Sequence, residues 1–281
     1  MGLKFRDLNP LIFDRRRAPG KQCTGIISRG TFIKLGLSKE FVDREFKSIR
    51  VVDGRGEVFI EGDFVRLNRE KLEIWLSSEL NVVRPADATI KGEGEVMVRG
   101  TKYTGKVFDA SGWKGKAKWV KAMEYVTEPL NLDEILVTLD PRNPAGFGWI
   151  VPLPDKALVG ALSLGDPRPF VPAVEKRRLS VHGGGIPRVK PIQLSVPAIG
   201  DRTGLIKTFT GGGIFGIAEL LQNFSNSRKI KKEIERQYLL TEILQRTWRI
   251  DLLALRLLHG RTIRVDREFD FHTFLFSLRR L

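Results

Sequence analysis

A chain of 281 residues, 42% hydrophobic and 29% charged, is long enough to bury one large core or two modest ones. Its single cysteine, Cys23, excludes an intrachain disulfide framework, and the scattered His182, His259 and His272 show no metal-ligand spacing. Forty-eight basic against 33 acidic residues give +15, a charge that draws a protein to nucleic acid or anionic lipid.

That charge is spread along the chain without a nucleic-acid motif, which favours an ordinary basic surface over nucleic-acid binding. Membrane-surface association stays open. No apolar run reaches the length of a bilayer span, and the N-terminus alternates apolar and charged residues, unlike a signal peptide. With one cysteine, the expectation is a cytoplasmic protein.

Leu11-Ile-Phe-Asp14 reads as a buried parallel strand ending in an acid. Arg15-Arg16-Arg17 follows, mostly a solvated run. Ser38 can cap a helix over 39–46. A hairpin is expected next, with strands 49–52 and 57–60 around Asp53-Gly54. Asn68 can cap a helix over 69–80 that places Leu72, Trp75, Leu76 and Leu80 on one face. Strands at 88–91, 95–98 and 102–108 form a meander ending in Asp109-Ala-Ser-Gly112. Further strands are expected at 119–126, 134–139, 148–152 and 157–163.

A short strand at 194–199 then runs into Gly200-Asp201, and Gly211-Gly212-Gly213 opens an apolar helix. Glycines ahead of a helix let a ligand approach the backbone, where N–H groups and the positive helix end favour an anion. Asp201, just past a strand end, is placed to accept hydrogen bonds from sugar-like hydroxyls. From 225 to 258 apolar residues recur at helix spacing, as two packed amphipathic helices with solvated Lys/Arg faces, and Gly260 is the stop.

The segment from Pro197 to Leu221 resembles the second flavin motif of FAD-dependent oxidoreductases of the p-hydroxybenzoate hydroxylase type. Its Thr210-Gly-Gly-Gly-Ile214 ending is most similar to the geranylgeranyl reductase branch. Pro144-Ala-Gly-Phe147-Gly-Trp149-Ile-Val151-Pro152 resembles that branch's P-x-x-Y-x-W-x-F-P signature, with Phe147 for Tyr and Val151 for Phe. Gln22-Cys23-Thr24-Gly25 is similar to its C-x-x-G segment. The order of helix, meander and Asp109–Gly112 ending also resembles the family.

The resemblance implies a mixed α/β fold: a discontinuous Rossmann-like FAD-binding domain (1–46, 65–116, 190–224), an antiparallel substrate domain (47–64, 117–189) and a helical C-terminal region (225–281). It implies FAD held by Asp14 at the adenosine ribose, by Arg15, Cys23, Gly25, Arg69 and Asp109, and by Gly200, Asp201, Gly211, Gly212 and Gly213. Pro144, Phe147, Trp149 and Pro152 would line an isoprenoid cavity, and Cys23 is the one candidate catalytic group. The activity implied is reduction of isoprenoid C=C bonds by reduced flavin, with a ferredoxin-like or nicotinamide electron donor and peripheral membrane contact.

The family's first strand and G-x-G-x-x-G loop are not found; residues 2–9 look like the tail of the helix that follows them. Two other readings therefore stay open. One is a truncated or mis-started homologue, inactive alone or acting as a lipid-binding module. The other is a basic nucleic-acid-binding protein.

Overall fold

The computed structural model describes residues 9–20, 23–222 and 227–265. The helix tail expected over 2–9 and Gln22 of the cysteine segment fall largely or wholly outside them, as do residues 266–281 of the expected helical region.

Strand β1 (Leu11–Phe13) is followed by β2 (Ile26–Ser28) and helix α1 (Arg29–Leu35). The sequence reading missed α1, although both its ends are signalled. Ser28 Oγ accepts from the Thr31 N–H, and Gly36 closes the helix in the left-handed conformation. The helix expected over 39–46 is a correction. Ser38 caps only one 3-10 turn, Lys39–Phe41, and β3 (Val42–Val52) begins at once. Tertiary pairing overrides the local pattern: β3 runs antiparallel along the whole of β4 (Glu57–Leu67), burying Phe46, Ile49 and Val51 against Val58, Ile60 and Phe64.

Helix α2 (Arg69–Glu79) forms as expected, with Asn68 Oδ1 accepting from the Lys71 N–H at 2.9 Å. Next come β5 (Asn81–Val83) and the meander β6 (Ala88–Gly92), β7 (Glu95–Val98) and β8 (Thr101–Thr104). The long strands β9 (Lys118–Thr127), β10 (Ile135–Thr138), β11 (Phe147–Pro152), β12 (Ala157–Ser163) and β13 (Arg178–Arg188) follow. The chain then reaches α3 (Gly213–Gln222), α4 (Ser227–Arg256) and β14 (Thr262–Arg264). The pair of helices expected over 225–258 is thus one 30-residue helix.

Nine strands make the main sheet, ordered β13-β9-β12-β11-β10-β3-β4-β14, with β2 sharing the outer edge of β4. One face carries the largest core, which Leu244, Trp248, Leu252 and Leu255 of α4 complete. The other face packs Ile150, Ala157 and Val159 against the 130–136 segment and Val171.

Parallel pairing comes in short stretches: β3 with β10 and β4 with β14 in the main sheet, and β1 with β5 outside it. Among the described residues β1 pairs with β5 alone, and the strand expected at 194–199 is reduced to a single parallel bridge between Ala198 and Asp109. Pro197 removes an N–H donor from the middle of that stretch, which works against a continuous ladder. The expectation of a buried β1 is also corrected, because Leu11 is exposed at the strand's edge.

Candidate functional site

Gly200, at φ +65°, turns the chain out of the Ala198 bridge into a 3-10 turn, Gly200–Thr203. The Arg202 Nε of that turn donates to Asp109 Oδ2 at 2.6 Å, and Ser111 donates to Oδ1 from its N–H and hydroxyl. Burial pushes the Asp109 carboxyl up, but the Ser111 and Arg202 hydrogen bonds outweigh this and hold it below the ordinary range.

Beyond the turn, each glycine has its own reason. A Cβ on Gly211 would lie 2.7 Å from Ile186, one on Gly213 2.8 Å from Asp201 Oδ1, and one on Gly216 2.2 Å from the Leu205 carbonyl oxygen. Gly212 alone meets only ordinary van der Waals neighbours, so it is the position in the run that packing does not demand. It stands in front of the N-terminus of α3, with the Asp201 carboxylate alongside.

A polar cleft of about 250 Å³ opens between the meander and this turn. Lys91, Lys114 and Arg202 border it with Asp109 as the one acid. Three cations against one carboxylate in this cleft fit an anionic group such as the phosphates of a cofactor.

Asp14 fits less well. Its carboxylate accepts from the Arg16 N–H (3.0 Å), from the Arg16 guanidinium (3.1–3.3 Å) and from Arg84 Nε (2.8 Å). Burial pushes this carboxyl up, and the Arg16 and Arg84 hydrogen bonds more than reverse it. Arg16 and Arg69 both reach Glu73 at 2.9 Å, so Arg69 opens α2 as part of an ion-pair cluster. The Asp14 acceptor sites are already taken, and ribose hydroxyls would have to displace an arginine. Arg15 is exposed.

The Pro144–Pro152 motif and the cysteine segment meet on the core face of the sheet. The Phe147 ring stacks on Phe209, from the segment leading into the glycines, at 5.5 Å between centroids. Phe209 in turn contacts Trp248 of α4. Trp149 faces Gly160 in register, Gly160 faces Glu124, and Glu124 faces His182, a row across four strands. The indole of Trp149 lies over Gly160, where a Cβ would sit 2.4 Å from Cζ2, and its Nε1 donates to Glu124 Oε2 at 2.7 Å. Thr24, next to Cys23, donates its hydroxyl to the same oxygen. His182 Nε2 lies 2.9 Å from the other oxygen. Gly25, at φ +72°, presses against the Leu67 carbonyl, where a Cβ would be 2.4 Å away. That approach fixes the cysteine segment on β4.

Pro144 precedes β11 in a turn, and Trp149 and Pro152 are buried while Phe147 is half-buried. A cavity of about 10 Å³, room for one water, lies beside Phe209 between Leu162, Ile186 and the buried Arg188. Arg188 donates to the Thr208 and Ala145 carbonyls, and burial lowers its guanidinium pKa.

Sequence reasoning missed Glu124, His182 and Gly160. They lie in no local motif, and only the register of β9, β12 and β13 lines them up. The one available signal was a lone glutamate at an inward position of a strand whose neighbours Val120, Ala122 and Val126 are apolar.

No protein-family model and no curated protein sequence matches the chain. Solved structures do. The geranylgeranyl bacteriochlorophyll reductase-like protein of Thermoplasma acidophilum superposes with a TM-score of 0.65 at 18% identity, over 84% of this chain and 81% of that one. The flavin-dependent brominase Bmp2 gives 0.57 at 14% identity, over 88% and 79%. BrvH, a flavin-dependent halogenase from Brevundimonas sp. BAL3, gives 0.58 at 13% identity, over 93% and 76%. The chain therefore has the mixed α/β fold of FAD-dependent, Rossmann-like flavoproteins. Among the described residues no helix is long and apolar enough to cross a membrane.

Proposed function

We propose that the chain is a flavin-dependent oxidoreductase of the geranylgeranyl reductase kind, acting on C=C bonds of an isoprenoid chain. The observation that carries this reading is the Phe147–Phe209 stack. It joins the Pro144–Pro152 motif to the glycine segment, 62 positions later in the chain (209 against 147). Halogenases share the fold, and fold alone does not decide chemistry. The Pro144–Pro152 motif and the apolar core around it favour the reductase.

In this reading Gly200, Asp201 and Gly211–Gly213 hold the ribityl and ring end of FAD, and Lys91, Lys114 and Arg202 neutralise its phosphates. When bound and reduced, the flavin supplies the hydride. The residues of this chain supply the surroundings. The half-buried Phe147 is the ring a prenyl chain would contact, and the buried Phe209 and Trp248 back it with apolar area that carries no polar handle. Glu124 gathers Trp149 and Thr24, which sets the position of Cys23 relative to β11. A ferredoxin-like or nicotinamide donor would return the electrons.

The test is direct. Purified protein, or protein reconstituted with FAD, should show flavin absorbance, and chemically reduced holoprotein should add two hydrogens per double bond to a prenyl substrate. A colourless protein that takes up no FAD would overturn the flavin reading. Flavin binding without prenyl reduction would overturn only the substrate.

A further inference from the structure

Helix α4 has two apolar faces. One, through Ile234, Trp248, Leu252 and Leu255, is buried against the sheet and α3. The other carries Leu239, Ile243, Ile250 and Leu253 and is continued by Leu257, one residue past the helix, each between 49% and 78% exposed. Their spacing of 4, 7, 3 and 4 residues keeps them on one stripe, about half a turn from the core face. The solvated cations expected for this region are present, and an aliphatic stripe that was not expected runs among them. Lys232, Arg246 and Arg249 are exposed in the same sector, where the acids Glu235 and Glu242 are half-buried and Glu242 is paired with Lys118. Exposed apolar stripes of this extent on a folded chain mark an interaction surface.

We propose that this outer face of α4 is a docking surface for an anionic lipid bilayer, with the helix lying in the plane of the headgroups. Aliphatic side chains enter the headgroup–acyl boundary while Lys232, Arg246 and Arg249 meet lipid phosphates, the arrangement that holds amphipathic helices at interfaces. The net charge of +15 adds long-range attraction to the same surface. The pattern argues against a second copy of this chain as the occupant. Arg246 stands within the stripe, and pairing two such faces would set like charges against each other. This inference rests on the outer face of α4 and the charge of the chain, and not on the flavin reading.

The experiment is co-sedimentation of the full chain with vesicles of phosphatidylcholine alone and of phosphatidylcholine mixed with phosphatidylglycerol, with sedimentation velocity run in parallel. The wild type is expected to be monomeric, to bind the anionic vesicles, and to lose binding as salt rises. The Ile250→Glu/Leu257→Glu double variant should bind at least about tenfold more weakly, with unchanged circular dichroism and melting temperature because both positions are exposed. Arg246→Gln should weaken binding to anionic vesicles while leaving the fold intact. Three results would each overturn the proposal: no vesicle binding by a folded wild type, binding that the double variant retains, or a wild-type dimer that the double variant turns into monomers.

Discussion

Trp149 donates its indole N–H to Glu124 across the width of an intervening strand, 2.7 Å from nitrogen to oxygen. Gly160 makes this reach possible, since it leaves the indole a bed on β12. The Pro144–Pro152 motif, through Trp149, and the cysteine segment, through Thr24, are thereby tied to one buried carboxylate.

Removing the donor tests that tie. Trp149→Phe keeps most of the ring volume but takes one hydrogen bond from a buried carboxylate. Unfolding in urea should show a loss of about 1–3 kcal/mol with the slope unchanged. Thr24→Val should cost a comparable amount, and the two losses should fall short of additive because they share an acceptor.

Gly160→Ala should destabilise by about 1–3 kcal/mol through overpacking, because its Cβ would meet both Trp149 and the Met123 carbonyl at 2.4–2.5 Å. Gly184→Ala, on β13 with open space around its Cβ, should stay within about 0.5 kcal/mol of wild type. Thermal melting of the pair separates a steric requirement from a general preference for side chains in strands.

Asp53 governs an acid-sensitive joint. Its carboxylate accepts from the Arg55 and Gly56 N–H groups and from Arg256 Nε, with His259 at 3.3 Å. Burial pushes this carboxyl up, and the hydrogen bonds together with the nearby His259 bring it below its ordinary value of 3.8. The stabilisation is therefore complete above the unfolded value and disappears as pH falls through the lower folded one. Asp53→Asn should lower stability at neutral pH by about 2 kcal/mol and flatten the stability–pH curve below about pH 4. Equilibrium unfolding across pH 3–7 measures both.

Asp14 should behave as a structural acid. Asp14→Asn leaves Arg16 and Arg84 without their shared counter-ion, and the melting temperature should fall. FAD affinity, by titration of flavin fluorescence, should change less than about tenfold, or 1.4 kcal/mol. A larger loss of affinity at unchanged stability would return Asp14 to the cofactor.

Local signals in the sequence carried much of this. Asn68 announces α2, Asp53-Gly54 announces the hairpin, and the Gly-containing turns announce the meander, because each is settled by residues a few positions apart. Strand β13 was invisible for the opposite reason. Gly183-Gly184-Gly185 and Pro187 contradict strand propensity, and pairing with β9 alone makes it a strand. The false helix at 39–46 rested on the Ser38 cap, which is real but starts only one 3-10 turn. In the fold, charges alternate along β3, and Asp43 pairs with Arg66 on the neighbouring strand. At the site, the glycine run and the Phe147–Trp149 strand were legible as motifs. Glu124 and His182 were not, since their meeting depends on the register of strands about 60 residues apart.

Helix α4 touches two parts of the molecule with its two halves. Ile230 and Ile234 pack on Leu205 and α3 beside the glycine run, while Arg256 and the turn at Gly260 grip the hairpin at Asp53 and Glu57. Thirty residues without a break span about 45 Å. The helix is thus a strut, and its two ends cannot shift independently without bending it. Any ligand that tightens the glycine turn should be felt at the hairpin, as slower amide exchange in residues 53–57, although nothing that binds it comes near them.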